Sequence, residues 1–241
     1  MRELEDFDWF PRDFRQHQMD FLSLIALKFK LYHPAKNEVL EVIASQKQPD
    51  WTDACSGSGG PVQSLAGSYP VLLTDLYPSF RHLQLPDNIK FLDKPIDITK
   101  SLPPGNGLIT LFNSFHHFSS EQQGFLINQC SKANRALIVV EVLQPGFRSI
   151  ITVVFITTIG HWLLVPFIKP FSLKRLFFTY ILPLHTLSVL YDGIISVFKS
   201  KNSHYFEKLA KQQTTGDYRV DFVKIKGRYG PLFMIKGIPI I

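Results

Sequence analysis

Cysteine is almost missing from this chain. Two residues in 241, Cys55 and Cys130, follow no C-x-x-C or Cys/His spacing, which argues against structural zinc and fits a reducing compartment. Charge is also scarce: Asp, Glu, Lys and Arg make up 19% of the residues, against about 25% in average soluble proteins. The 26 Lys and Arg give a net charge of +6, but they are scattered and form no stripe, so no nucleic acid partner is expected. Internal repeats and low-complexity linkers are lacking, and the acidic run Met1–Asp8 does not read as a secretory signal. What the chain has in abundance is apolar residues, 45% of the total with 21 phenylalanines, enough for one full α/β core.

The stretch Trp51-Thr-Asp-Ala-Cys-Ser-Gly-Ser-Gly-Gly60 is a short strand that breaks into glycine before a helix starting near Gly60. Its backbone amides would face a ligand. Asp75 closes the next apolar run, Tyr69–Thr74, 22 positions after Asp53, close to the offset of about 20 at which a second-strand carboxylate reaches ribose hydroxyls. The dinucleotide fingerprint G-x-G-x-x-G is absent; the spacing is Asp53-x-Cys55-x-Gly57-x-Gly59. Cys55 stands at the first small position, where a side chain is expected to hold φ below zero.

Strand and helix signals then alternate as a parallel sheet with crossovers requires. Strands are expected at Val71–Thr74, Ile89–Leu92, Leu108–Phe112 and Ala136–Val142, each covered on both faces. Ser119 or Ser120 caps a helix that buries Phe125, Leu126 and Cys130. Helices over residues 6–47 precede the first strand, with Trp9 and Phe10 as an aromatic hook. The period of two in Asp221–Ile225, a turn at Gly227–Gly230 and the run Pro231–Pro239 make a closing hairpin.

The Asp53–Gly59 spacing, Asp75, Trp9-Phe-Pro, Thr74-Asp-Leu-Tyr-Pro78, Phe115-His-His-Phe118 and Asp192-Gly193 together resemble class I S-adenosylmethionine-dependent methyltransferases, in a bacterial small-molecule branch. The resemblance implies one Rossmann-like domain with a seven-stranded, mostly parallel sheet ending in an antiparallel hairpin. Its parts would be an N-terminal cap (1–47), a cofactor core (48–148), an apolar insertion (149–200) and a terminal helix with hairpin (201–241). It also implies that Asp53, Cys55, Gly57, Gly59 and Asn113 or Ser114 line the methionine end of S-adenosylmethionine, that Asp75 holds the ribose, and that Asp97 meets the adenine, with a loop-capping Asp97 as the lesser alternative. Trp9 and Phe10 would close over the site or pack in the core. No metal is implied.

His116 and His117 are candidate bases, although neighbours in sequence are not expected to face one point. Glu141 is the other carboxylate at the ligand edge. The departure from a minimal enzyme is Ser149–Phe198, where Ile150–Ile168 has His161 as its only ionisable side chain. Three arrangements fit: a buried oily lid, which is preferred; a hairpin in a membrane interface with Trp162, Lys169, Lys174 and Arg175 near head groups; or a span. Asp192, in this apolar setting, either lines a substrate pocket or pairs with Arg175. The expected acceptor is a hydrophobic small molecule, a lipid, quinone or aromatic pigment precursor, and the expected location is the cytoplasm with contact to the inner membrane face through 149–198. Rival readings are a nicotinamide oxidoreductase, disfavoured by the missing fingerprint, and a catalytically silent binding or scaffold protein.

Overall fold

The computed structural model of the protein describes residues 1–46, 49–79 and 83–240; the expected boundary at 47–48 lies outside them. Seven strands form one sheet: β1 (Trp51–Ala54), β2 (Val71–Thr74), β3 (Ile89–Phe91), β4 (Leu108–Phe112), β5 (Leu137–Glu141), β6 (Tyr218–Lys226) and β7 (Pro231–Pro239). Their order is β3-β2-β1-β4-β5-β7-β6. The first five run parallel, β7 enters antiparallel beside β5, and β6 pairs antiparallel on its outer side. The chain leaves β3 at one edge and returns at β4 beside β1, so the strand order reverses between β1 and β4. In an open α/β sheet that reversal opens a crevice at the carboxyl ends of the two strands.

Period-two alternation builds the core. Leu108, Ile138 and Val140 face one side, with Val39 and Ile43 of α2 (Lys36–Ser45) and Val62 and Leu65 of α3 (Gly60–Leu65). Ile109, Leu111, Leu137 and Val139 face the other, with Leu126 and Ile127 of α4 (Ser120–Lys132). The capping box expected at α4 is present, Ser119 accepting from the Gln122 amide while the Gln122 side chain accepts from the Ser119 amide. Phe125, however, is exposed; Gln123 takes the buried position and donates to the Phe115 and Phe118 carbonyls. β3 is an edge strand, so of its residues only Ile89 is covered, and Lys90 and Phe91 face outward.

Ahead of the sheet, α1 (Arg12–Lys28) lies across the start of α3. Only a glycine permits that approach at residue 60: a Cβ there would stand 2.6 Å from the Ser23 Cα and 2.8 Å from its carbonyl oxygen. The insertion forms three helices, α5 (Phe147–Phe167), α6 (Leu173–Ile181) and α7 (Leu184–Lys199), and α8 (Ser203–Gln213) leads to the hairpin. Phe21 and Ile25 of α1 pack on Val165, Ile168 and Val189.

The preferred buried lid is not what forms. Of the residues in α5, only Val153, Thr157, His161 and Val165 are buried, one stripe at four-residue spacing. The helix docks along that stripe and turns its apolar remainder outward.

Gly60→Ala should lower unfolding stability by about 2 kcal/mol, the cost of forcing two backbones apart. Denaturant titration measures it, and an unchanged midpoint would contradict the α1–α3 contact.

Candidate functional site

At the end of β1 the backbone turns through three left-handed residues, Cys55 (φ 53°), Gly57 (φ 53°) and Gly59 (φ 69°), at alternate positions. The expectation that Cys55 keeps φ below zero fails. The residue adopts the glycine conformation despite its Cβ, and because the same alternate-position turn is completed by two true glycines, the loop imposes it. On the neighbouring strand, Asn113 just past β4 is also left-handed, at φ 50°. Strained non-glycine residues therefore stand at the ends of both strands that flank the reversal of strand order.

The loop is fixed from two sides. Beneath it, Ser56 Oγ donates to the Asp53 carbonyl and accepts from the Thr74 amide, joining β1 to β2. Across from it, Asp75 Oδ2 accepts from the Gly57 amide at 2.9 Å and Oδ1 from the Tyr77 amide at 2.9 Å. Each carboxylate oxygen keeps a further lone pair for a ligand hydroxyl. Burial raises the Asp75 pKa, opposed by those amides. Next to it opens a cavity of about 740 Å³, lined by Trp9, Phe10, Arg15, Met19 and Tyr77 among others. Phe10 is buried and Trp9 exposed, so of the aromatic hook one ring is packed and one faces solvent at the cavity rim. The Arg15 guanidinium lies 3.9 Å from the Tyr77 ring centroid and donates to the Glu5 and Phe7 carbonyls.

The Asp53 side chain bonds across to β4. Its carboxylate is buried and accepts from Thr110 Oγ1 at 2.5 Å. Burial pushes its pKa up to about 7, against the hydrogen bonds from Thr110 and Ser56. Asp97 turns onto its own loop, accepting from the Thr99 amide and hydroxyl and pairing with Lys100 at 2.9 Å. That is the loop-capping arrangement. The segment nonetheless stays beside the crevice, because the Ile96 amide donates to the Asp75 carbonyl.

Along β4 and β5 the site is acidic. Glu141 accepts from the Phe115 amide at 2.8 Å and holds His116 Nδ1 at 2.7 Å. Burial works against a charged His116 ring, but the Glu141 carboxylate overcomes it and raises the pKa above the ordinary histidine value. His116 Nε2 is buried without a hydrogen-bond partner. The two histidines do face one point after all: a 3-10 turn over Phe115–His117 sets their rings side by side, centroids 4.6 Å apart, with both Nε2 atoms toward Glu3. The two rings are held in this orientation by different carboxylates, Glu141 on one and Asp6 on the other. His117 Nδ1 lies 3.0 Å from Asp6. The cation of this cluster is Lys199, 3.0 Å from Glu3 and 3.2 Å from Asp6.

Asp192 neither pairs with Arg175 nor lines the cavity among the described residues. It accepts from the Leu4 and Glu5 amides and from Gln18, strapping the N-terminal segment to α7. Arg175, expected near head groups, is instead buried and paired with Asp20 of α1 at 3.0 Å. Asp20 also accepts from Ser58 Oγ of the loop at 2.7 Å. Sequence reasoning overlooked Glu3, Asp20 and Lys199. For Asp20 a signal existed, a carboxylate directly ahead of the apolar run Phe21–Leu27 of α1.

No family model matches the chain, and no curated protein matches it in sequence. Solved structures do. The DhpI–SAM–HEP complex is 13% identical with a TM-score of 0.50, covering 93% of this chain and 94% of that one. CalO1, a methyltransferase in calicheamicin biosynthesis with SAH bound, is 12% identical with a TM-score of 0.48, covering 86% and 54%. The mitomycin 7-O-methyltransferase MmcR is 16% identical with a TM-score of 0.47, covering 86% and 54%, so this chain spans about half the length of the latter two. At these identities the likeness is one of fold. With its β3-β2-β1-β4-β5-β7-β6 sheet, the chain has the class I methyltransferase fold.

Two predictions follow from the strain and from the buried acid. Cys55→Gly should raise stability by about 1 kcal/mol by removing the left-handed strain, read from denaturant midpoints. Asp53 has a folded pKa above its unfolded value, so folding favours its protonated form and stability falls as pH rises from about 4 to about 7. Asp53→Asn should therefore gain melting temperature relative to the parent over that interval, and parallel pH profiles would refute the assignment.

Proposed function

We propose that the chain is an S-adenosylmethionine-dependent methyltransferase acting in the cytoplasm on a hydrophobic small-molecule acceptor, a lipid, quinone or aromatic pigment precursor. One observation carries the reading: Cys55 and Asn113 hold glycine-like conformations at the ends of the two strands that flank the topological switch, beside the Asp75 carboxylate and an open cavity. Strain of this kind persists where a ligand requires the backbone close.

The residues present fit that cofactor. Gly57 and Gly59 supply the left-handed turn that brings the loop backbone close to the methionine end, and Asp75 has lone pairs for two ribose hydroxyls. The segment at Asp97 flanks the adenine side, and Trp9 and Phe10 wall the cavity. Asp53 acts from below by holding the loop through its carbonyl. Glu3, Glu5, Asp6 and Glu141 outnumber the nearby cations, which suits a positively charged ligand. When bound, S-adenosylmethionine supplies an electrophilic methyl on a sulfonium.

The chain's own contribution to chemistry is orientation and proton removal. Methyl transfer is an in-line displacement, so positioning accounts for much of the rate. Glu141 fixes the His116 ring by its Nδ1, which leaves the Nε2 lone pair to accept a proton from an acceptor hydroxyl or amine. His117, held by Asp6, lies between His116 and the N-terminal strap and shapes the approach.

Calorimetry with S-adenosylmethionine and its demethylated product tests the reading. Binding is expected, and Asp75→Ala should weaken it by more than about tenfold by stranding the ribose hydroxyls. Radiolabelled methyl transfer to a panel of lipids and quinones should fall strongly in His116→Ala, less in His117→Ala, with cofactor affinity kept in both. No cofactor binding would end the proposal, and binding without turnover on any acceptor would favour a silent scaffold.

A further inference from the structure

The insertion is built inside out. Its buried residues are largely polar, Thr157, His161, Arg175, Thr179, His185 and Thr186 among them. Its outward residues are large and apolar: Phe155, Ile159, Leu163, Phe167, Leu173 and Ile181 are each more than half exposed. A soluble protein has the opposite arrangement, and an exposed apolar patch of this kind marks an interaction face. Most of these polar groups find partners inside the protein, Arg175 and His161 on α1, although His185 Nδ1 is buried without one. Thr157 and Thr158 donate back to Val153 and Val154 carbonyls, Thr179 to Arg175, Trp162 Nε1 to Thr186 Oγ1, and the Tyr180 hydroxyl to the Trp162 carbonyl. Where water is absent, such groups have to find partners inside the protein.

We infer that the outer face of α5, α6 and α7 seats in the interface of an anionic lipid bilayer. Charge selects lipid over a protein partner of either sign: residues 142–191 contain no Asp or Glu, while Arg148, Lys169 and Lys174 are exposed on the same layer. Lys174 also pairs with Asp13. Basic residues next to an apolar face favour acidic head groups, and Trp162, Tyr180 and Tyr191, all exposed, are side chains suited to the head-group level. The geometry is that of a resting layer rather than a crossing. The 21-residue α5 reaches bilayer length with a mean hydropathy of 2.0, yet it stays docked along its inner stripe, and α6 and α7 meet at 75°. The inference stands on the insertion alone and does not need the methyltransferase reading.

Co-sedimentation of the full chain with vesicles tests it. Binding to phosphatidylglycerol/phosphatidylcholine vesicles is expected, with binding to phosphatidylcholine alone weaker by at least tenfold. Leu163→Glu combined with Ile181→Glu should lower partitioning by at least tenfold, and Phe125→Glu, exposed on α4, should leave it unchanged. Arg148→Gln and Lys169→Gln should each cost about fivefold. Brominated lipid should quench fluorescence in the parent chain and less in Trp162→Phe. A chain that stays in the supernatant with both vesicle types overturns the inference. So does a detergent-free dimer that dissociates in the Leu163→Glu/Ile181→Glu chain, which would make the face a contact between copies. Cofactor calorimetry on the same samples separates either failure from failure of the enzymatic reading.

Discussion

One buried carboxylate joins the parts of this protein that carry chemistry. Asp20, midway along α1, accepts from Ser58 in the glycine loop and pairs with Arg175 in the insertion, while the neighbouring turn of α1 rests on Gly60 through Ser23. Charge-assisted bonds in a dry setting are strong and unforgiving: loss of one partner leaves the other charge unsatisfied at a cost of several kcal/mol. The loop, the helix across it and the outward-facing layer are therefore held as a unit, and the position of α1 sets the shape of the cavity that Met19 and Phe10 line.

Strain is concentrated where the sheet changes direction. Cys55 and Asn113 carry left-handed backbones on adjacent strands, and the hydrogen bonds of Ser56 and Asp75 hold the first of them in place. The sheet supplies rigid strand ends, the loop spends part of that rigidity on an unfavourable conformation, and the result is a backbone surface ready for close approach. On the other side of the switch, Glu141 holds one imidazole and Asp6 its neighbour, so two adjacent histidines have different supports and different exposure.

Most of the fold was legible because it rests on local pattern. Apolar runs bounded by Gly, Pro and Asp gave β1, β2, β4 and the hairpin β6–β7 nearly to the residue, and Ser119 with Gln122 announced α4. What the pattern could not give was anything decided by tertiary partners. Phe125 has the right period to be buried, but Gln123 wins the inner position by bonding two carbonyls. Arg175 and Asp192 looked like each other's counter-ions, yet each found a partner more than 150 residues away, in α1 and in the N-terminal strap. The oily insertion misled most, since hydropathy reports how apolar a helix is and not which way its apolar face points. Among the candidate site residues, spacing placed the loop and Asp75 at neighbouring strand ends, where they meet through the Gly57 amide; the contacts of Glu3 and Lys199 depend on the packing of distant segments and left no trace in the local sequence.

The strap over β4 and β5 has a property of its own. Asp192 grips it through two main-chain amides, those of Leu4 and Glu5, rather than through side chains. Such a clasp is blind to which side chains occupy those positions and bars only proline, the one residue with no hydrogen to offer.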